Sequence, residues 1–506
     1  MVRIYIIGIV MLLSVSCSDF LKEYSQDLAY VSSYTDLDEL LLGGAYLNSD
    51  FSSYSYTGYT PYVHMMADEM RENIEYAYGI EYNSNPRDDY FGYYTWQKRV
   101  DVGFDNLVKI TNESYDWKRL YEHINVANMI IAEIVNWDGE NEFEKQEISR
   151  IRGEAYFLRG AYYFWLVNLY GKPYTATSAI TDPGVPLKLT EYIEDKKFVR
   201  NSVQEVYDQV LKDLDEAEKA LEKVSRKSVF RADIIATYLL KSRVFLYARD
   251  WENAAYYANK VLEKNGQLLD LNTFTMDSET AFMSPTSVET IFSTGDNWIA
   301  NNTSMRQKGV SASESVIELY EKDANDLRFE VFLNTDYPPY LPCNKYAYNG
   351  GEMSDVCTYR TAEAYLNLAE ARAYQNDEEG ACKALNYLRK HRIRGAKDVS
   401  YSGKELMSEI RDERFRELVF EGHRWYDLRR YSVCDRYPLD KAVRNTYTTY
   451  YDDGESLVLQ ATYIYELRPG DPAYVMPIPA DVLTFDELLK DNVRYERNAV
   501  EIINYN

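Results

Sequence analysis

The sequence predicts a mostly α-helical protein in which tetratricopeptide-type helix pairs pack against an irregular, loop-rich half. Three observations predict it: apolar residues recur at helical spacing over several stretches, two of these stretches resemble each other, and long Tyr-, Asn- and Gly-rich segments lie between them. The chain has 506 residues, 46% hydrophobic and 27% charged, which is an ordinary soluble composition and excludes disorder as the general state. Its formal charge is −25, so a nucleic-acid partner, which needs clustered lysine and arginine, is excluded as a class. The 49 tyrosines against 7 tryptophans and 18 phenylalanines suit half-buried, wet surfaces, because each ring pairs an apolar face with a polar tip.

Residues 1–16 read as an export signal: Arg3 is a minimal positive region, Ile4 to Leu13 is apolar, and Ser14 and Ser16 lead to Cys17. The apolar run is too short to span a bilayer, which needs about 20 residues. Cys17 is the expected lipid-attachment residue, with 17–35 as anchor and tether, although Leu13 stands four places before it and Ser14 holds the usual leucine position. More than one acyl chain makes such an anchor stable. Residues 36–506 read as a single domain, with an N-terminal part at 36–265 and a C-terminal part at 266–506.

Ala155, Leu158, Tyr162, Trp165, Leu166 and Leu169 share one face of a helix that stops at Gly171 and Pro173. Ser202 and Glu205 form a capping box ahead of the stripe Val206, Val210, Leu214, Ala217 and Leu221. Two helix pairs then align residue by residue: Tyr238, Leu239, Tyr247, Asp250, Ala254 and Val261 correspond to Tyr365, Leu366, Tyr374, Asp377, Ala381 and Leu388. Each is a helix, a polar turn at the aspartate and a second helix opening on a small residue, the second pair falling within 359–392. Between the helices, 49–101, 266–311, 335–355 and 436–479 read as long loops, which in a compact domain are usually functional.

In order and spacing the motifs resemble the SusD/RagB family: "CSDFLKE" after the signal, "WKRLYEHINVANMII" from Trp117, "RGEAYFLRGAYYFWLVNLYGKPY" from Arg152, "VYDQVLKDLDEAEKAL" from Val206, "YRTAEAYLNLAEARAY" from Tyr359, "IRDERFRELVFEGHRWYDLRRY" from Ile410 and "YVMPIPADVL" near the end. The tail after "PIP" departs from the family pattern of an acidic residue and an asparagine. The resemblance implies a SusD-like fold, a place on the outer face of the outer membrane, and a role as a hinged lid on a SusC-like, TonB-dependent transporter. It implies oligosaccharide ligands, with peptides in some members.

Glu413, Glu417 and Glu421 stand at i, i+4, i+8 and invite comparison with a glycosidase pair. Such carboxylates must flank the bond from opposite sides, which one helix face does not provide. An ion-pair lattice with Arg414, Arg424, Arg429 and Arg430 is expected instead, and a surface glycosidase is the weaker alternative. His64, His123, His391 and His423 show no metal-site spacing, and nucleophile-elbow, Walker and dinucleotide signatures are absent, so no catalytic residue, cofactor or metal is assigned. The acidic turn from Asp452 to Glu455 lacks the alternating ligands of a calcium loop.

Two segments are the ligand-binding candidates. The first runs from Tyr76 to Trp96, where Tyr78 and Tyr82 offer stacking faces and Asn83, Asn85 and Arg87 offer partners for hydroxyls. The second surrounds Trp298 with Asp296, Asn297, Asn301 and Arg306 and is expected to leave the indole accessible. Trp117, Trp165, Trp251 and Trp425 are assigned to packing. Of the cysteines, Cys382 is expected to be a buried apolar residue, and Cys343 with Cys357 is a possible disulfide across a polar loop.

Overall fold

The structure is a computed structural model that describes residues 31–47, 58–73, 86–109, 113–275, 281–303, 310–336, 338–346, 353–452 and 457–505. The long helices are α1 (Tyr115–Glu133), α2 (Glu142–Tyr170), α3 (Val203–Leu221), α4 (Ile234–Ala248), α5 (Trp251–Lys264), α6 (Thr361–Tyr374), α7 (Glu378–Lys390), α8 (Gly403–Leu418) and α9 (Arg424–Ser432). Asn141 caps α2 by accepting the Glu144 N–H, and Gly171 closes it as the sequence predicts. The expected stripe on α2 is buried, but so are Phe157, Tyr163 and Phe164 on its other faces, because α2 lies between α1 and α3. At Gly153 an added Cβ would stand 2.5 Å from Leu221 Cγ, so glycine there permits the close approach of α2 to α3. The Ser202–Glu205 capping box forms, and Val206, Val210, Leu214, Ala217 and Leu221 are all buried. Each full burial of such a valine or leucine contributes about 1.5–3 kcal/mol.

The two predicted helix pairs are α4–α5 and α6–α7. Asp250 accepts the Asn253 N–H and Asp377 accepts the Gly380 N–H, and each aspartate follows a residue with positive φ, Arg249 at 61° and Asn376 at 64°. The same turn is thus built twice. Ala254 and Ala381 are fully buried where the helices cross. The pairs also stack on each other, α5 against α6, with the Trp251 and Tyr374 rings 4.0 Å apart at 8°. Trp117, Trp165 and Trp425 are buried as assigned.

Around this scaffold lie short strands. β1 (Met70–Glu72) pairs antiparallel with β3 (Val310–Ala312), and β2 (Thr290–Ser293) with β4 (Thr358–Arg360). The stretch 436–479, read from sequence as a loop, instead contains β5 (Val443–Asp452) and β6 (Leu457–Leu467), to which β7 (Glu501–Asn504) adds a third strand. Along β5, Val443, Asn445 and Tyr447 are buried while Arg444 is exposed. After Val443 this alternation runs through Asn445 and Tyr447 rather than aliphatic residues, and it breaks at buried Thr448, so composition concealed it. The shorter elements Pro86–Asp89, Phe91–Tyr94 and Trp298–Thr303 are likewise helical within segments read as loops.

The ion-pair lattice exists, but its partners are different from those expected. Glu417 accepts from Arg328, Arg360 and Arg392; Glu413 from Arg328, Arg416 and Arg389; Glu421 from Arg360 and Lys345. α8 ends at Leu418, and Phe420 has φ 61°, so Glu421 is not on the helix face at all. Arg414 pairs with Asp427, Arg424 with Asp68, Arg430 with Glu370 and Asp427, and Arg429 donates to the Tyr474, Asn168 and Gly171 carbonyls. Residues from separate segments therefore converge on α8. Removing one member would strand a buried charge, at a cost of about 3–5 kcal/mol. Cys343, Cys357, Cys382 and Cys434 are buried free thiols, so the possible disulfide between Cys343 and Cys357 is not formed. Burial pushes the thiols of Cys343 and Cys357 up to about 12.

Candidate functional site

Glu72, at the end of β1, is paired in register with Val310, at the start of β3. Residue 72 leads toward the first candidate segment and residue 310 follows the second, so the two leave the described fold side by side. Arg87, within the first segment, reaches back to this junction, its guanidinium donating to Glu72 Oε2 at 3.1 Å. Glu72 in turn accepts the Thr448 N–H at 2.9 Å and its hydroxyl at 2.7 Å, which ties both to β5.

Beside this junction stands a cluster of rings. Tyr62 and Tyr93 stack at 4.3 Å and 15°, and Tyr90 meets Tyr93 at 5.9 Å and the edge of Trp298 at 5.5 Å. Such offset and edge-on contacts each add about 0.5–1.5 kcal/mol beyond area burial. Arg119 lies between two rings, 4.0 Å over Tyr59 and 4.1 Å over Tyr115, and donates to the Gly58 carbonyl and to Asp116. The Tyr59 hydroxyl meets His123 Nε2 at 2.9 Å, and His123 Nδ1 donates to the Gly44 carbonyl at 2.7 Å. That second bond fixes Nε2 as the acceptor, in keeping with burial lowering the His123 pKa. Tyr115 is 43% exposed, so Tyr115 and Arg119 give the cluster a face toward solvent.

Under the rings lies a short chain of charge. Asp296 accepts the Tyr59 N–H at 3.3 Å, and burial together with the charge of Asp355 pushes its carboxyl up to about 7. Asp355 accepts the Ile299 N–H at 2.7 Å and stands 3.6 Å from His64 Nε2, while His64 Nδ1 is 2.7 Å from Glu69. Burial works to lower His64, but Asp355 and Glu69 hold it up at about 9.

The placement of the predicted residues corrects several of them. Trp298 is 3% exposed, on a short helix packed against Tyr90, not an accessible ring in a polar loop. A Cβ at Gly58 would stand 3.0 Å from Trp298 Cβ, so the chain passes tightly over the base of that side chain. Asn297 is fully buried; its amide donates to the Met353 carbonyl and its oxygen accepts the Ala300 N–H, which makes it a structural cap. Arg87 is buried, donating to Glu72 and the Thr448 carbonyl and lying 4.4 Å over Tyr447, so its fork is a clamp rather than a ligand partner. Tyr78, Tyr82, Asn83, Asn85, Arg306, Cys17 and the side chain of Asn301 lie outside the described residues. So does most of the acidic turn after Asp452.

Sequence reasoning missed Tyr59, Tyr62, Tyr90, Tyr93, Tyr115 and Arg119 as one site. Tyr115 and Arg119 sit one turn apart at the start of α1, a spacing visible in the sequence, but only folding brings them to Tyr59. Tyr59, Tyr62, Tyr90 and Tyr93 are themselves buried, so the groups this cluster turns to solvent are the Tyr115 ring and the Arg119 guanidinium, which can stack on an apolar face of a ligand and hydrogen-bond its hydroxyls or amides. Among the described residues no group of three or more His, Cys, Asp and Glu side chains is placed to hold a metal ion.

Residues 278–495 match the family model described as the SusD family, and residues 56–246 match a second described as starch-binding associating with outer membrane. SusD-like protein P2 of Formosa agariphila is 25% identical over 381 residues, covering 62% of this chain and 70% of that protein. SusD-like protein P38 of the same organism is 30% identical over 177 residues, 34% of this chain and 31% of its own length. The fold is shared with a SusD superfamily protein from Bacteroides thetaiotaomicron at TM-score 0.69 and 22% identity, over 91% of this chain and 100% of that one. A solved protein from Bacteroides vulgatus, described as a putative sugar binding protein, aligns at TM-score 0.66 and 23% identity, over 90% and 98%.

Proposed function

We propose that this chain, which belongs to the SusD family, is a lipid-anchored protein of the outer-membrane surface that captures oligosaccharides and delivers them to a SusC-like TonB-dependent transporter. One observation carries the reading. Segments singled out by their aromatic and polar composition flank a single strand ladder, Glu72 opposite Val310, next to a cluster of tyrosines capped by Arg119. A pyranose ring offers an apolar C–H face to the exposed Tyr115 ring and hydroxyls to Arg119 beside it, while the buried tyrosines hold the two in place. The starch-binding description of the second family model supports a sugar as cargo and the outer membrane as location. Among the described residues no helix is long and apolar enough to cross a membrane, and attachment is assigned to acylated Cys17.

Binding without bond cleavage is favoured by the fate of the conspicuous glutamates. Glu413, Glu417 and Glu421 are each held by two or more cations inside the fold, leaving none of them to protonate a leaving group. Oligopeptide capture is the second reading. It is disfavoured by the ladder beside the site, where the Ala312 N–H is already taken by the Leu341 carbonyl and only Arg71 is less than fully buried.

Isothermal titration of the purified chain against neutral oligosaccharides and tripeptides tests the proposal. At least one neutral oligosaccharide should bind, Arg119→Ala should weaken it, and no shortened product should form on long incubation. Silence toward every sugar with binding of a peptide would move the assignment to peptide capture, and catalytic release of sugar would overturn the binding-only role. Replacing Cys17 by alanine should release the protein from outer-membrane fractions.

A further inference from the structure

On the side of α8 facing helix Glu314–Glu321, Lys404, Met407, Ser408, Arg411, Asp412 and Phe415 form one wall of a groove. Residues 437–441 complete it. Lys404 to Phe415 spans roughly 16 Å at the helical rise. The enclosed volume is about 460 Å³, inside the roughly 300–1,000 Å³ usual for small-molecule sites.

In a chain of formal charge −25 this groove is unusual in gathering five cations, Lys322, Lys404, Arg411, Arg424 and Lys441, with only Glu318, Asp412 and Asp440 as carboxylates. Three of the cations are engaged. Arg424 donates to both oxygens of Asp68 at 2.6 and 2.8 Å, Lys322 to Asp412 at 2.9 Å, and Lys441 to the Ser315 hydroxyl at 3.1 Å. Lys404 and Arg411 differ. Among the described residues neither has a carboxylate at ion-pair distance. Arg411 lies 4.1 Å over the Tyr431 ring and donates to the Tyr374 hydroxyl at 3.1 Å; its Nε is buried, so the terminal nitrogens are the ones left to meet a ligand. Burial works to lower the Arg411 pKa, but Tyr431, Tyr374 and the more distant charge of Glu370 raise it, so the guanidinium is held charged and gains further from an anion at ion-pair distance. Its planar fork matches a carboxylate with two parallel hydrogen bonds. Tyr437 and Leu439, both half-buried, supply apolar surface, and the Ser315 and Ser408 hydroxyls supply neutral hydrogen-bond partners.

We propose that this groove is a second ligand site, separate from the aromatic cluster, that takes an acidic sugar, with Arg411 gripping its carboxylate and Lys404 adding charge. The site shares no residue with the cluster around Tyr59 and Arg119, so it stands or falls independently of the first.

Calorimetric titration of the full chain with trigalacturonate, with its methyl ester and with sodium sulfate separates the outcomes. The acid should bind, the ester should bind at least about tenfold more weakly, and affinity should fall as salt rises. Arg411→Gln should weaken the acid about tenfold and Lys404→Gln about threefold. Arg119→Ala should leave it unchanged. Lys404 is exposed, so its variants keep the fold, and Lys404→Glu carries the test if Arg411→Gln does not fold. Equal binding of acid and ester, no binding of the acid, or unchanged affinity in Lys404→Glu would each overturn the site. Sulfate matching the acid would overturn the sugar and leave a bare anion site.

Discussion

Arg87, within the first candidate segment, and Glu72, just before it, meet at 3.1 Å in a buried ion pair that brackets the segment's N-terminal part. The pair is the point where a local signal, a loop rich in tyrosine and asparagine, becomes a placed element. Glu72 holds Arg87, the Thr448 backbone and the Val310 register partner at once, so ladder, segment and β-sheet share one anchor.

Arg87→Ala should therefore destabilise the protein by about 3 kcal/mol, because Glu72 would keep its charge without its guanidinium. Urea unfolding measures this. In a double-mutant cycle, adding Glu72→Gln should recover part of the loss, and simple additivity would show that the two residues are not coupled.

Trp298→Ala should lower stability by about 3–5 kcal/mol, as expected of a buried indole, and Trp298→Phe by less. The check is the thermal midpoint of each variant. A Trp298→Ala protein that melts like the parent while losing ligand would return the indole to the binding surface.

Stability should fall at both ends of the pH scale. Burial works to raise Glu413, but Arg328, Arg416 and Arg389 hold it down at about 2, and the same kind of pairing lowers Glu417 and Glu421. Their contribution is complete above the unfolded carboxylate pKa of about 4.3 and is lost as pH falls toward 2. Asp296, raised to about 7, and His64, raised to about 9, act in the opposite sense. The Asp296 contribution is lost as pH rises through about 7 and that of His64 as pH rises through about 9. Asp296→Asn should accordingly stabilise the protein more at pH ~8 than at pH ~5, by a difference on the order of 2–4 kcal/mol. Urea titrations at the two pH values decide it; an equal effect at both would show that Asp296 ionises normally.

Cys343, Cys357, Cys382 and Cys434 should resist iodoacetamide in the native protein and react fully after unfolding in guanidinium. Mass spectrometry counts the adducts, and a pair that stays unlabelled until reductant is added would reveal a disulfide.

Much of the helical scaffold was legible because its signals are local. The Ser202–Glu205 box, the aspartate turns at Asp250 and Asp377 and the stripe from Val206 to Leu221 each depend on residues within a few turns of one another. The β5–β6 hairpin was missed because many of its buried positions, among them Asn445, Tyr447, Thr448, Thr462 and Tyr465, hold residues that also populate loops. At the site, the sequence suggests an accessible indole at Trp298, whereas the folded chain leaves it 3% exposed.

By itself the sequence determined the long helices around Leu158, Val206 and the two repeated pairs, how those pairs repeat, the motifs shared with the SusD family and the acidic, tyrosine-rich character of the chain. Only the tertiary structure decided that Glu417 answers to Arg328, Arg360 and Arg392, that Trp298 is covered by Tyr90 and the Gly58 strand of chain, and that Arg87 spends its charge on Glu72. The reason is physical. Helix periodicity and caps are written over a few neighbouring residues, whereas the partner of a buried charge and the cover over a ring are set by segments hundreds of residues away.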